Sequence, residues 1–176
     1  MFIPGELIAI LTFPGVIVHE AAHQIFCRFF RVAVLDVCYI RYGRPSGYVV
    51  HEPAVRPGQH VWISVGPFLV NTLIGALIAA PAAIPVIQFE AGNPLEYLLI
   101  WLGVSIAMHA FPSTGDAQAI RRTLRERKTS VLTKLIATPV VFVIYLGAAG
   151  SVFWLDLMYG VAVAMLLPNV VIWASV

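Results

Sequence analysis

From Val61 to Ile87 the chain runs without a single charged side chain. A helix needs roughly 20 apolar residues to cross the hydrocarbon core of a bilayer, and this stretch exceeds that. Four more stretches are similarly apolar, at about Glu6 to Phe30, Leu95 to Phe111, Val131 to Trp154 and Leu157 to Ser175. Composition agrees: 60% of residues are hydrophobic and 11% charged, where a soluble domain is about half apolar and a quarter charged. The expectation is an α-helical polytopic membrane protein with about five transmembrane helices, forming one domain over 1–176. The last two stretches are so close that a tight hairpin around Asp156 is expected.

Between the first two stretches the texture changes. VAVLDVCYIRY alternates and is rich in β-branched and aromatic residues, GRPSG supplies a turn, and YVVHE resumes the strand pattern. This predicts a small β-hairpin, held at the membrane interface or against the helices because strand edges cannot face lipid.

Charge gives an orientation. Arg28, Arg31, Arg41, Arg44 and Arg56 lie in or beside the first loop. Arg121, Arg122, Arg125, Arg127, Lys128 and Lys134 lie in or beside the third, which completes the 11 basic residues. Five spans put both loops on one side, and the other side carries Glu6, Glu90, Glu96 and Asp156. Basic loops stay cytoplasmic, so the N-terminus is expected outside and the C-terminus inside. No Lys or Arg precedes Arg28, so the first stretch lacks a signal peptide's basic region and reads as a retained span. The segment Asp116 to Lys128 reads as a surface helix meeting anionic headgroups of the bilayer. A net charge of +2 gives no reason to expect nucleic acid. Cys27 and Cys38 form no CxxC pair and read as small apolar residues.

One apolar stretch contains VIVHEAAHQIF, residues 16–26. Ionisable groups are costly inside a membrane and mark functional sites there. His19 and His23, four apart, project from one face of a helix and can share a metal ion. Glu20 stands beside them as a general base for an activated water, which is the logic of HExxH. A catalytic zinc needs a third protein ligand and an open position. Cys27 is ruled out, because it lies about 12 Å along the helix axis from His19. The remaining candidates are Asp116 and His109 in MHAFPSTGDAQAI, where Pro112 and Gly115 break the third span at the depth of the two histidines. Asp116 can equally be read as a helix cap for AQAIRRTLRERK. His51 and His60, in the first loop, are weaker ligand candidates.

HEAAH in one span, GPFLVN (Gly66 to Asn71) in the next and FPSTGD (Phe111 to Asp116) ending a third together resemble the site-2 protease family of intramembrane zinc metalloproteases. The resemblance covers about residues 5–120, leaving about 130–176 as accessory helices, and is to a minimal form without a PDZ domain. It implies a prokaryotic cell-membrane enzyme that hydrolyses a peptide bond in or near a transmembrane segment of a membrane-protein substrate. Its implied ligands for Zn2+ are His19, His23 and Asp116, with Glu20 and Asn71 catalytic and Gly66 and Pro67 shaping their helix. The family's late motif, NxxPxxxxDG, differs here: Pro112 and Asp116 are four apart, Ala117 replaces the glycine, and His109 stands in the asparagine's place. His109 therefore stays open as the third ligand. Two other readings use the same residues, a non-catalytic membrane scaffold and a metal-binding or transport protein. The oligomeric state is not legible.

Overall fold

The computed structural model describes residues 5–43, 45–90, 92–125, 129–150 and 153–170. It is mostly helical, with one small sheet. The order is α1 (Gly5–Leu11), α2 (Phe13–Phe29), β1 (Val34–Cys38), β2 (Tyr48–His51), α3 (Pro57–Gln88), α4 (Pro94–Met108), α5 (Thr114–Arg125), α6 (Val131–Gly150) and α7 (Leu155–Val161). A π-helical turn, Ala162–Leu166, continues α7.

The first apolar stretch is not one straight helix. It breaks at Thr12, and α1 and α2 meet at 87°. Pro14 has no N–H to give and its ring collides with a helical carbonyl four residues back, so the helix restarts instead of continuing. The backbone N–H and side-chain hydroxyl of Thr12 both donate to the Ile8 carbonyl, closing α1. At the far end of α2, the Val32 N–H donates to the Cys27 carbonyl and the Arg31 N–H to Arg28, with Arg31 at φ 57°. This is a Schellman turn with arginine in the left-handed position that glycine usually fills. It turns the chain from α2 into the hairpin.

The hairpin forms where the alternation predicts it. Antiparallel pairing joins Val34 to His51, Asp36 to Val50, Val37 to Val49 and Cys38 to Tyr48, with an irregularity between Val34 and Asp36. It packs on α2, where the Tyr39 hydroxyl donates to Gln24 Oε1. Arg44, in the turn, lies outside the described residues, as do Arg127 and Lys128.

Among the described residues only α3 is long and apolar enough to cross a membrane, or two segments are if the bent α1–α2 pair counts as one span. Five full-length spans are therefore not seen. α4 has 15 residues, because a capping box starts it late and a proline-containing segment follows it. Asn93 Oδ1 accepts from the N–H groups of Leu95 and Glu96, while Glu96 returns a bond to the Asn93 N–H. The expected turn at Asp156 sits two residues earlier, at Trp154 with φ 61°, and Asp156 belongs to the first turn of α7. The C-terminal end of the fifth stretch, 171–176, lies outside the described residues.

α3 has small residues inside and large ones outside. Gly75, Ala79, Ala82 and Ala83 are buried, while Leu69, Leu73 and Leu77 form an exposed stripe. A Cβ on Gly103 would lie 2.6 Å from both the Ala79 Cβ and the Gly75 carbonyl oxygen, so α3 and α4 approach backbone to backbone. On the other side, Ala117 and Ile120 of α5 pack on Ala137 and Ile144 of α6, with Val61 and Val65 of α3 against them. Phe111 stacks edge-on to Tyr159 of α7 at 4.9 Å, and Tyr159 shares a 2.8 Å hydrogen bond with Thr72 of α3. The last helix thus holds the segment that leads into α5. Gly103→Val must push α3 and α4 apart. We expect a loss of about 1–3 kcal/mol, read as a lowered Tm in detergent, with Gly103→Ala falling between the two.

Candidate metal centre

The first half of α2 delivers HEAAH to the interior. His19, Glu20 and His23 are all buried, and the two imidazole rings meet edge to face with centroids 4.9 Å apart. Each ring is fixed through Nδ1. His19 Nδ1 lies 2.7 Å from the His109 carbonyl and His23 Nδ1 lies 2.9 Å from the Ile63 carbonyl. A carbonyl only accepts, so both Nδ1 atoms carry the proton and both Nε2 atoms present lone pairs. Metal-binding histidines are oriented by the same device.

The third group is Asp116. Its chain position is far from α2, yet its Oδ1 lies 3.5 Å from His23 Nε2. A donor from each of His19, His23 and Asp116 falls within 4.8 Å of the others, and among the described residues this is the cluster that could hold a metal ion. Bonds of about 2.0–2.1 Å in a tetrahedral site place neighbouring donors about 3.3 Å apart. The His23–Asp116 edge already has nearly that length, and modest side-chain rotation closes the rest. Two imidazole nitrogens and a carboxylate oxygen suit zinc.

Asp116 is also a helix cap, and the two readings of it prove compatible. Ser113 Oγ accepts from the Asp116 N–H, while Asp116 Oδ2 accepts from the Ser113 N–H at 2.8 Å and from its hydroxyl at 2.6 Å. This capping box occupies Oδ2 and leaves Oδ1 facing the histidines. Burial alone would push the Asp116 carboxyl up, but His23 beside it, with further help from His19 and Ser113, holds it down at about 2. It is thus the anionic oxygen a cation requires.

His109 enters by its backbone. It caps the C-terminus of α4, its ring is held at Nδ1 by the Ser105 carbonyl, and it is not in the cluster. The carbonyl that orients His19 is its contribution. Asn71, on α3, is fully buried at 0% exposure. Its Nδ2 donates to the carbonyls of Gly15, Ile106 and His109 at 3.0–3.3 Å. Those donors are spent tying α3 to α2 and α4, and the shared His109 carbonyl makes Asn71 a neighbour of His19 at one remove. Asn71 Oδ1 is buried with no partner among the described residues.

Glu20 stands differently. Among the described residues no hydrogen bond engages its carboxylate, and the hairpin covers it: a Cβ on Gly47 would come within 3.0 Å of Glu20 Oε1. A buried carboxylate left without a bond beside a metal-ligating trio is placed to take a proton. Gly66 and Pro67 are buried on α3, with Gly66 against the Phe26 ring. Cys27 is buried, as its apolar reading requires, and Cys38 is half-buried. His51 and His60 face one another beside the hairpin, 5.9 Å apart, away from the cluster.

Sequence reasoning did not find Ser113, Gly47 or the Ile63 and His109 carbonyls. The S-x-x-D spacing of Ser113 and Asp116 is a capping-box signal that was available. The carbonyls carry no signal at all, since every residue has one. No family model, curated protein or solved structure matches the chain. Asn71→Leu removes the clamp while keeping the volume. It should cost about 1–3 kcal/mol in unfolding free energy, and denaturant melts of the purified protein would measure this.

Proposed function

We propose that this chain is an intramembrane zinc metalloprotease of the site-2 protease type, cleaving a peptide bond in or near a transmembrane segment of a membrane-protein substrate. The observation that carries the reading is the meeting of Asp116 Oδ1 with His23 Nε2 at 3.5 Å. It brings a third ligand, from the far side of two intervening helices, to an HExxH pair whose Nδ1 atoms are both already held. The unengaged Glu20 beside that trio gives the reading its catalytic part.

Zinc held by His19, His23 and Asp116 supplies a Lewis acid that polarises the scissile carbonyl and acidifies water. The protein's own groups do the rest. Glu20 accepts the proton of the attacking water and returns it to the leaving amine. The His109 and Ile63 carbonyls keep both imidazoles in the required tautomer, and Asn71 keeps α2, α3 and α4 in register. A transmembrane substrate has its backbone tied up in helix, so it must unwind first. The hairpin lies over Glu20 and offers strand edges against which an unwound segment can be laid.

The membrane part of the reading rests on α3 with its exposed leucine stripe and small inner face. In it, the bent α1–α2 segment, α3, α4, α6 and α7 with its continuation are the five membrane segments. The basic loops lie on the cytoplasmic face of a prokaryotic membrane, and the C-terminus lies inside. α4 is short for a span, and the break at His109 lets water and Asp116 reach the histidines from that face.

The test is metal content and cleavage together. The purified wild type should carry about one zinc per chain, and His23→Ala and Asp116→Ala should lose it. Glu20→Gln should keep the zinc and lower cleavage of a reconstituted transmembrane reporter by at least about a hundredfold. A wild type that binds no zinc would end the proposal. Full cleavage by Glu20→Gln would end its mechanism.

A further inference from the structure

The outer face of α5 has no part in the metal site. Gln118, Arg121, Arg122 and Arg125 are exposed and fall at spacings of three, four and seven, so they form one stripe. The opposite face, Ala117, Ile120 and Thr123, is buried. The four stripe residues alone line an open recess of about 220 Å³. None of the three guanidinium groups has an ion pair or hydrogen bond among the described residues. Asp116, the acid on α5, is turned toward His23, and α6, the helix packed beside it, contributes Lys134 and no acid. Like charges this close repel along a helix, so the stripe lacks an anion.

What lies next to the stripe says which anion. α6 begins at Val131, and its first turns are apolar and uncovered: Val131 is 83% exposed, Leu132 65% and Leu135 71%. A row of unpaired arginines alongside the bare start of an apolar helix is the pattern of a bilayer boundary, with cations at headgroup level and leucines below. A soluble phosphate would need no such apolar neighbour. Guanidinium groups also match a phosphodiester with paired N–H donors. We infer that the Arg121, Arg122 and Arg125 face of α5 is a binding site for the headgroup of an anionic phospholipid, and that its occupancy steadies the helix whose first turn supplies Asp116.

The link follows from rigidity. Asp116 and Arg125 share one helix and lie about 14 Å apart along it. A headgroup anchored at the C-terminal half restrains the N-terminal turn, where Ser113 holds Oδ2 and leaves Oδ1 toward His23. The headgroup site rests on the chain's lying in a bilayer, whereas the link to Asp116 rests also on the metal reading above.

The test uses the whole chain, metal-free, in nanodiscs of phosphatidylcholine with trace nitroxide-labelled phosphatidylglycerol or phosphatidylcholine, reading the fraction of each label immobilised on the protein. Each arginine near an anionic surface is worth roughly a fivefold preference. Wild type should therefore select phosphatidylglycerol strongly, and Arg121→Gln/Arg122→Gln/Arg125→Gln should select it little. Arg28→Gln/Arg31→Gln/Arg41→Gln removes as much charge elsewhere and should keep the preference. The headgroup site is overturned by no preference in wild type, by a preference that survives in the α5 variant, or by one lost equally in the charge-matched control. Full displacement of the label by millimolar inorganic phosphate would overturn the lipid as occupant. Zinc affinity, measured by chelator competition, should be several-fold tighter for wild type in nanodiscs containing phosphatidylglycerol, and lipid-independent for the α5 variant. Equal wild-type affinity in both lipids overturns the link to Asp116. Absence of any zinc binding overturns the metal reading and leaves the lipid selectivity standing.

Discussion

The early end of α4 is the constraint on which the rest depends. A helix terminus leaves its last carbonyls without N–H partners, and in an apolar interior each unpaired one is costly. Here the carbonyls of Ile106 and His109 are taken up by side chains from two other helices. Asn71 of α3 donates to both, and His19 of α2 is held by the His109 carbonyl. One event therefore satisfies the terminus, locks three helices together and fixes the tautomer of a candidate ligand. A straight α4 continuing through residue 112 would have closed those carbonyls internally and left His19 and Asn71 without them.

The same break sets up Asp116. After His109 the chain passes through Phe111 and Pro112 into Ser113, where a new helix must begin and its own N–H groups need acceptors. The capping box answers that need with one carboxylate oxygen and leaves the other free. Cap and ligand are therefore not competing interpretations of Asp116, because the cap is what aims the ligand. Phe111 is held meanwhile by Tyr159 and Phe68. The last helix has no metal-binding motif, yet it braces the segment that carries the third ligand.

Much of this was legible in the residues. HEAAH could be read as a pair of ligands with a base because helical spacing is local and fixed. The hairpin could be read from its alternation and turn, and α3 from the length of its uncharged run. Asp116 was one of two candidates, and the fold chose between them by turning the His109 ring toward the Ser105 carbonyl. The 87° break at Thr12 was missed although Pro14 announces a break, because a run of apolar residues looks continuous whichever way the backbone bends. Five full spans were overcounted for a related reason. Hydropathy marks apolar segments, whereas helix length depends on caps such as Asn93 and on where proline ends the ladder.

Sequence by itself determined the helical character, the hairpin and the identity of the metal-ligating side chains, since each depends on spacing within a few residues. Only the tertiary structure decided what those side chains meet. Asn71 became a clamp, His109 a carbonyl donor to the site's architecture, and Gly47 the cover over Glu20. The physical reason is that these roles run through backbone carbonyls and close approach between distant segments. Those contacts are set by how the helices pack, and no residue type along the chain records them.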